Sequence, residues 1–344
     1  MQKYIYYIIS TLALIIIIST STIYAGRPDK VGTSAASELL IPVGARSIGL
    51  GGSHIATVNG PEAMYWNPAG LAGSSSKNFL FSHMSYIADI GVDYFAANVP
   101  LFNLGNLGVA IKSIDVGDIA VTTEDLPDGT GEITSPTFII VGGTYARQIT
   151  DRISVGVTSN YIYEKMARVS ASTFAFNLGV QYTGIGGIEG LSVGAVVKNL
   201  GPSLKFDGAG LLRDADVIDA SRQNSKVKIE AAASDLPSTI EIGLGYKLPL
   251  LDLSMMNITS TFQNNNYSDD EYKFGAEYIY DNLISVRGGI AITPQVGSSR
   301  YIFGESLGAG INYEVSNIRI SIDYAYRAVK YFNGNHVFTV MLEY

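Results

Sequence analysis

Few residues of this chain are typed and spaced for chemistry. The three histidines, His54, His83 and His336, stand apart, without the spacing that lets several ligands share a metal ion. Cysteine is absent, which removes thiolate catalysis, disulfides, Cys-based zinc sites and lipoprotein acylation together. Ser82 lies beside His83, but neighbours on a strand point to opposite faces, so they do not make a nucleophile and its base. Gly49-Leu50-Gly51-Gly52 lacks the Gly-Lys-Ser/Thr ending of a phosphate loop, and no strand–helix unit surrounds it. The chain reads as a non-enzyme, with no catalytic residue, cofactor or metal site expected.

The charged residues fall into two sets. Arg287, Arg319, Arg327, Asp323, Glu277, Glu241, Lys247, Lys273 and Glu343 sit on the polar side of alternating stretches, as an ion-pair ladder or a polar conduit would. A second set crowds the Gly201–Pro237 connection: Asp207, Arg213, Asp214, Asp216, Asp219 and Arg222, with Lys226, Lys228 and Glu230. A connection that long is usually functional or disordered, so these are candidates for engaging a partner. The net charge of −8 argues against nucleic acid.

The elements that must position these groups are strands. Phe338, Val340, Leu342 and Tyr344 alternate with Thr339, Met341 and Glu343 at the C-terminus. Phe174, Phe176, Leu178, Val180 and Tyr182 oppose Thr173, Asn177 and Gln181; Ile240, Ile242, Leu244 and Tyr246 oppose Glu241, Gly243 and Lys247. Roughly 14 such stretches lie near 78–88, 92–101, 107–118, 137–148, 153–166, 172–182, 191–199, 238–248, 252–263, 270–280, 283–291, 306–314, 316–328 and 335–344. Those at 92–101 and 252–263 alternate poorly.

A soluble sandwich would bury the apolar face, whereas a membrane barrel would turn it to lipid and line its lumen with the polar one. Periodicity does not separate the two. Strand length does favour the barrel, since a tilted crossing needs about 9–11 residues. So do charged residues at 16% against the usual ~25%, and tyrosines gathered at strand ends. Short connections (102–106, 149–152, 183–190, 249–251, 281–282) alternate with mostly longer ones near 119–136, 201–237, 264–269 and 293–305. Periplasmic turns and extracellular loops differ in that way. The expected fold is all-β: a transmembrane antiparallel β-barrel of about 14 strands over 77–344. His83 and His336, on its first and last strands, become neighbours on closure.

Two segments precede the barrel. Lys3, the apolar run Tyr4–Ile18 and the small residues at Tyr24-Ala25-Gly26 read as a Sec signal peptide over 1–25, cut near Ala25. Residues 26–76 are rich in Gly, Ala, Ser and Pro and show no period. Pro61–Tyr65 could form a helical turn, and Asn67-Pro68 opens a turn that Gly70 ends. Too small to fold alone, this segment is expected to plug the barrel, burying Ile48, Leu50, Ile55, Tyr65 and Trp66 on the lumen wall. Arg46 is expected to pair with a lumen acid.

Two motifs in this segment carry a resemblance. Gly44, Arg46, Ser47, Gly49, Gly51 and Gly52 form one; Trp66, Asn67, Pro68, Ala69 and Gly70 fall in the other. Together they resemble the N-terminal hatch of the outer-membrane long-chain fatty-acid transporter superfamily, most closely its PorV/PorQ branch. The specificity lies almost wholly in Gly32–Ala72. The resemblance implies a 14-stranded, FadL-like barrel with a hatch, in the outer membrane of a Gram-negative-type bacterium. It further implies a role in type IX protein secretion or cell-surface attachment. Its partners would be translocon or attachment proteins, or the C-terminal signal domains of cargo, besides membrane lipid. A transporter of hydrophobic small molecules is the alternative, and a structural barrel the third reading. The charged loops favour a protein partner over an apolar ligand.

Overall fold

Side-chain alternation becomes strand after strand in the computed structural model, which describes residues 30–215, 225–251, 253–294 and 301–344. In chain order the strands are β1 (Asn78–Ser85), β2 (Gly91–Pro100), β3 (Asn106–Asp115), β4 (Ile119–Ala120), β5 (Ile133–Thr134) and β6 (Thr137–Thr150). Next come β7 (Ile153–Met166), β8 (Val169–Thr183), β9 (Leu191–Leu200), β10 (Leu212–Ala215), β11 (Ser225–Lys228) and β12 (Thr239–Leu251). The last six are β13 (Ser254–Asn265), β14 (Glu271–Tyr280), β15 (Ile284–Ile292), β16 (Phe303–Val315), β17 (Ile318–Val329) and β18 (Asn335–Glu343).

Among the described residues, fourteen strands close into one barrel, with β1 bonded to β18. The closing pair is antiparallel, from Asn78↔Glu343 to Ser85↔His336. The other four strands form two small hairpins, β4–β5 and β10–β11, inside long connections. These hairpins are too short to register as a period. The fourteen expected stretches are the barrel strands, including both weak ones. Strand β2 alternates poorly because its inward residues Val92, Tyr94 and Ala96 are themselves apolar and buried.

The exposed face is the apolar one. On β8, Phe174, Phe176, Leu178 and Val180 are exposed while Thr173, Asn177 and Gln181 are buried. Strand β1 exposes Phe79 and Phe81 and buries Ser82, so Ser82 and His83 do point apart. An exterior of this kind suits hydrocarbon and not water.

The two rims differ. At the rim carrying Lys77 and Tyr344, whose backbones bond to each other, the connections are short: 101–105, 151–152, 184–190, 252–253, 281–283 and 316–317. The opposite rim carries the long connections 116–136, 201–238 and 293–302. The first rim is called inner and the second outer below, the assignment such an asymmetry implies for an outer-membrane barrel.

The core lies inside the barrel. The N-terminal segment enters as a 3-10 turn (Ser37–Leu40), then forms α1 (Ala45–Gly49), a second 3-10 turn (Gly60–Glu62), α2 (Ala63–Trp66) and a third turn (Pro68–Gly73). Gly44 and Gly51-Gly52 bound α1, whereas Pro42 and Pro68 stop the first turn and α2. Pro61 opens the turn that leads into α2. Asn67 caps the last turn by accepting from Ala69 N at 3.2 Å. That turn runs on through Gly70 to Gly73, past the expected end. Val43, Met64 and Leu71 pack on Leu80, Tyr94 and Ala96 of the wall. Ile48 packs with Met84, Val92 and Val337, and Ile55 and Trp66 with Val196. Each such buried aliphatic or aromatic side chain contributes about 1.5–3 kcal/mol.

Candidate functional site

The motif residues of the N-terminal segment meet the barrel wall one by one. Arg46 of α1 reaches Glu277 on β14 as a fork, Nε to Oε1 at 3.1 Å and Nη2 to Oε2 at 2.8 Å. Glu277 also accepts from Asn257 Nδ2 at 2.8 Å and faces Arg287 Nε at 3.2 Å. Arg287 continues to Asp323 at 2.6 Å. The ladder read from the sequence therefore runs across β14, β15 and β17 and takes in the segment.

Trp66 donates from Nε1 to Val43 O at 3.0 Å, closing the segment on itself. Asn67 Nδ2 donates to Ile55 O at 2.9 Å and to Val180 O of β8 at 3.1 Å. Asn67-Pro68-Ala69 lies so close to the wall that a Cβ on Gly156 or Gly179 would overlap it. Those two glycines are register partners on β7 and β8. A second register pair, Gly275 and Gly289, lies under Leu50 and Gly51 in the same way. Gly51 and Gly52 themselves have φ of +64° and +73°, the left-handed region that glycine tolerates. Gly44 likewise has φ +84° and abuts the Glu62 carboxylate.

His54 joins a buried cluster that sequence spacing did not reveal. Its Nε2 lies 3.1 Å from Ser47 Oγ, which donates in turn to Glu62. Serine stands in the middle and is wholly buried, whereas a hydrolase triad puts histidine in the middle and serine in the open. Burial pushes the Glu62 carboxyl up to about 7, against the Ser47 hydrogen bond that lowers it. Burial, with Arg46 nearby, pushes His54 down to about 3. On the barrel exterior, His83 pairs with Asp93 at 2.7 Å and His336 with the Tyr324 hydroxyl at 2.8 Å. The two histidines are only diagonal neighbours, since His83 opposes Phe338. No metal-holding group of three or more His, Asp or Glu occurs among the described residues.

Residues of the segment line two separate vestibules inside the barrel. The inner one, about 450 Å³, is lined by Arg46, Glu62, Lys247, Arg319, Asp323 and Glu343 among others. The outer one, about 330 Å³, has Leu39, Ile41, Tyr65, Trp66, Tyr86 and Phe303 on its apolar side. Its polar side holds two ion pairs, Lys198–Glu241 at 3.0 Å and Lys273–Glu271 at 3.3 Å. Lys198 also sits over the rings of Tyr65, at 4.5 Å, and Trp66, at 5.4 Å.

Among the described residues, the wall of the outer vestibule is incomplete. Strands β15 and β16 pair from Ile284↔Ile311 only as far as Gly289↔Ser306. Beyond that, Ile290–Ile292 and Phe303–Glu305 have no ladder between them, and the register of β16 on β17 shifts between Phe303 and Ser306. A cleft of about 540 Å³ opens there. Ala291, Tyr301, Phe303 and Gly304 border both the cleft and the vestibule. Gly304 was the available signal, since a glycine inside a strand often marks a bulge.

The charged loop residues lie apart, on the outer rim. Asp207 pairs with Lys228, and Asp214 opposes Lys226 in the β10–β11 hairpin. Arg213 donates to Gly210 O and Leu212 O, both at 3.1 Å. Asp216, Asp219 and Arg222 fall outside the described residues, as does the expected signal peptide over 1–25. The base of this loop is tied inward, with Leu204 and Leu236 buried against Ala36 and Leu39. Sequence reading missed Lys198, Glu62, His54 as a cluster member and the β15–β16 gap.

A family model described as "Type IX secretion system protein PorV" matches residues 25–215. Several solved barrels share the fold. A CymD monoaromatic hydrocarbon channel is 13% identical with TM-score 0.54, covering 88% of this chain and 97% of its own. A Pseudomonas aeruginosa FadL homologue is 13% identical with TM-score 0.53, covering 88% and 98%. The Pseudomonas putida toluene transporter TodX is 11% identical with TM-score 0.52, covering 88% and 97%. No curated protein matches the sequence.

Proposed function

We propose, from the premise that the chain belongs to the PorV family of outer-membrane β-barrels, that it receives a hydrophobic or amphiphilic small molecule in its outer vestibule. The guest reaches that vestibule sideways, through the gap between β15 and β16. The observation that carries this reading is the shared border of gap and vestibule at Ala291, Tyr301, Phe303 and Gly304. Residues 26–76 act as the hatch that blocks straight passage. Solved barrels of this fold are described as a monoaromatic hydrocarbon channel and a toluene transporter, whose guests are apolar.

A second reading is favoured by the family itself, which is named for type IX secretion. In it, the outer connections 116–136 and 201–238 engage secretion or attachment proteins, or the C-terminal signal domains of cargo. The exposed charges Asp207, Arg213 and Asp214 would lie in that contact.

Affinity purification of the tagged protein from native outer membranes tests both. Stoichiometric hydrophobic material in the wild type, depleted in Ala291→Trp, supports the first reading. A barrel free of such material but bound to secretion subunits or exported proteins supports the second and overturns the first.

A further inference from the structure

The lipid-facing row of β7 ends in a cation. Val157 and Tyr161 are exposed while Thr158, Ile162 and Glu164 are buried, so the odd-numbered residues of this strand face outward. From Ile153 at the inner rim to Tyr163 the strand rises about 33 Å, or about 25 Å along the membrane normal at a tilt of ~40°. That is the height of the apolar band that meets hydrocarbon. Lys165 comes next on the same face, ~5 Å further out, where an aromatic girdle gives way to lipid head groups. Aromatic rings do stand at that level, with Tyr161 at 5.2 Å from Phe174 of β8.

Hydroxyl donors flank this lysine. Lys165 opposes Thr137 on β6 and Ser170 on β8, and directly opposed residues share a face about 5 Å apart. Arg168, in the β7–β8 turn, is exposed as Lys165 is. Neither forms an ion pair among the described residues. The carboxylate next in sequence, Glu164, is buried on the opposite face. Asp207, which bridges to Ser170, is neutralised by Lys228. Gly210 N donates to Arg168 O at 3.1 Å, and Arg213 Nη1 donates to Gly210 O at 3.1 Å, so a third cation stands beside the turn. The neighbouring β3–β6 connection has the opposite sign: it carries Asp118, Glu124, Asp125, Asp128 and Glu132 and neither Lys nor Arg.

We propose that Lys165 and Arg168, with the hydroxyls of Thr137 and Ser170, hold the phosphate of a lipid in the leaflet around the outer rim. Position selects lipid, because the row lies on the face that meets the membrane and at the level of its head groups. A guanidinium grips phosphate with two parallel N–H donors, and an ammonium adds a point charge. The held lipid fixes the depth at which β7 and β8 sit. In the ring of strands β7 stands across the barrel from β15 and β16, so this lipid leaves the gap between those two strands clear. The site is independent of the vestibule and of its guest.

Native mass spectrometry of the full mature chain, released from dodecylmaltoside micelles, tests this with three dioleoyl lipids: phosphatidic acid, phosphatidylglycerol and phosphatidylcholine. A basic residue at a membrane surface is worth about fivefold in affinity for an anionic lipid. Two of them should make phosphatidic acid bind about 25-fold more tightly than phosphatidylcholine, with phosphatidylglycerol between. Lys165→Gln with Arg168→Gln should bring all three close to equal, and both side chains are exposed, so the barrel should still close. Lys165→Arg should keep the preference, and so should Arg152→Gln, which removes a cation at the inner rim. Equal binding of phosphatidic acid and phosphatidylcholine to the wild type overturns the proposal. A preference that survives the double substitution, or that Arg152→Gln removes as well, overturns it too. If the wild type shows no lipid preference and the double variant instead loses an acidic protein that co-purifies from native outer membranes, the surface belongs to that protein and the lipid assignment falls.

Discussion

Arg46 and Glu277, one on the N-terminal segment and one on the barrel wall, meet as a two-bond fork at 3.1 and 2.8 Å. Glu277 is 1% exposed, whereas Arg46 keeps 35% of its side chain open to the inner vestibule. Arg46→Ala should loosen the segment by about 1–3 kcal/mol. The loss stays below that of an isolated buried pair, because Arg287 still neutralises Glu277. Trp66 fluorescence and limited proteolysis of the segment measure it. Unchanged protection would show that the fork carries no docking energy.

Gly179 lets the segment's backbone touch the wall. Gly179→Leu would drive a side chain into Asn67 and Pro68, so the segment should unseat while the barrel stays closed. Gly143→Leu, on the same sheet but with nothing within 4 Å of its added Cβ, should leave docking intact. A red shift of Trp66 emission in the first variant and none in the second is the expected result.

Lys198 and Glu241 form an ion pair in which the side chains are 7% and 1% exposed. Lys198→Met leaves Glu241 buried without its cation and should cost about 3–5 kcal/mol. Adding Glu241→Gln should recover most of that loss, a coupling that a double-mutant cycle reads directly. Additive losses would show that the two side chains do not act as a pair.

The Ser47–His54–Glu62 cluster predicts a flat-topped pH profile for docking. Glu62, raised from 4.5 to about 7, favours docking at low pH and loses that contribution as pH rises from 4.5 through 7. His54, lowered from 6.5 to about 3, disfavours docking increasingly as pH falls from 6.5 towards 3. Between about 4.5 and 6.5 the two slopes cancel. Glu62→Gln should leave docking that strengthens steadily from pH 3 to 6.5, and His54→Gln docking that weakens steadily from 4.5 to 7. Segment protection against protease, followed across pH, separates these slopes. Parallel profiles in the two variants would exclude the cluster as their source.

Sequence alone determined the strands and the local form of the segment. A period of two is a local property, legible wherever one face is uniformly apolar, as on β8. Asn67-Pro68 and the paired glycines Gly51-Gly52 likewise announce a cap and turns through backbone chemistry that needs no partner. Tertiary structure decided the rest. That Phe174 and Phe176 face outward, not into a core, depends on closure of the sheet, which alternation does not encode. Only the fold makes Arg46 a partner of Glu277, places Gly156 beside Gly179 beneath Pro68, or aligns Thr137 with Lys165 and Ser170 in one row. Each is a relation between distant residues set by strand register, and a one-residue slip would turn every member to the opposite face.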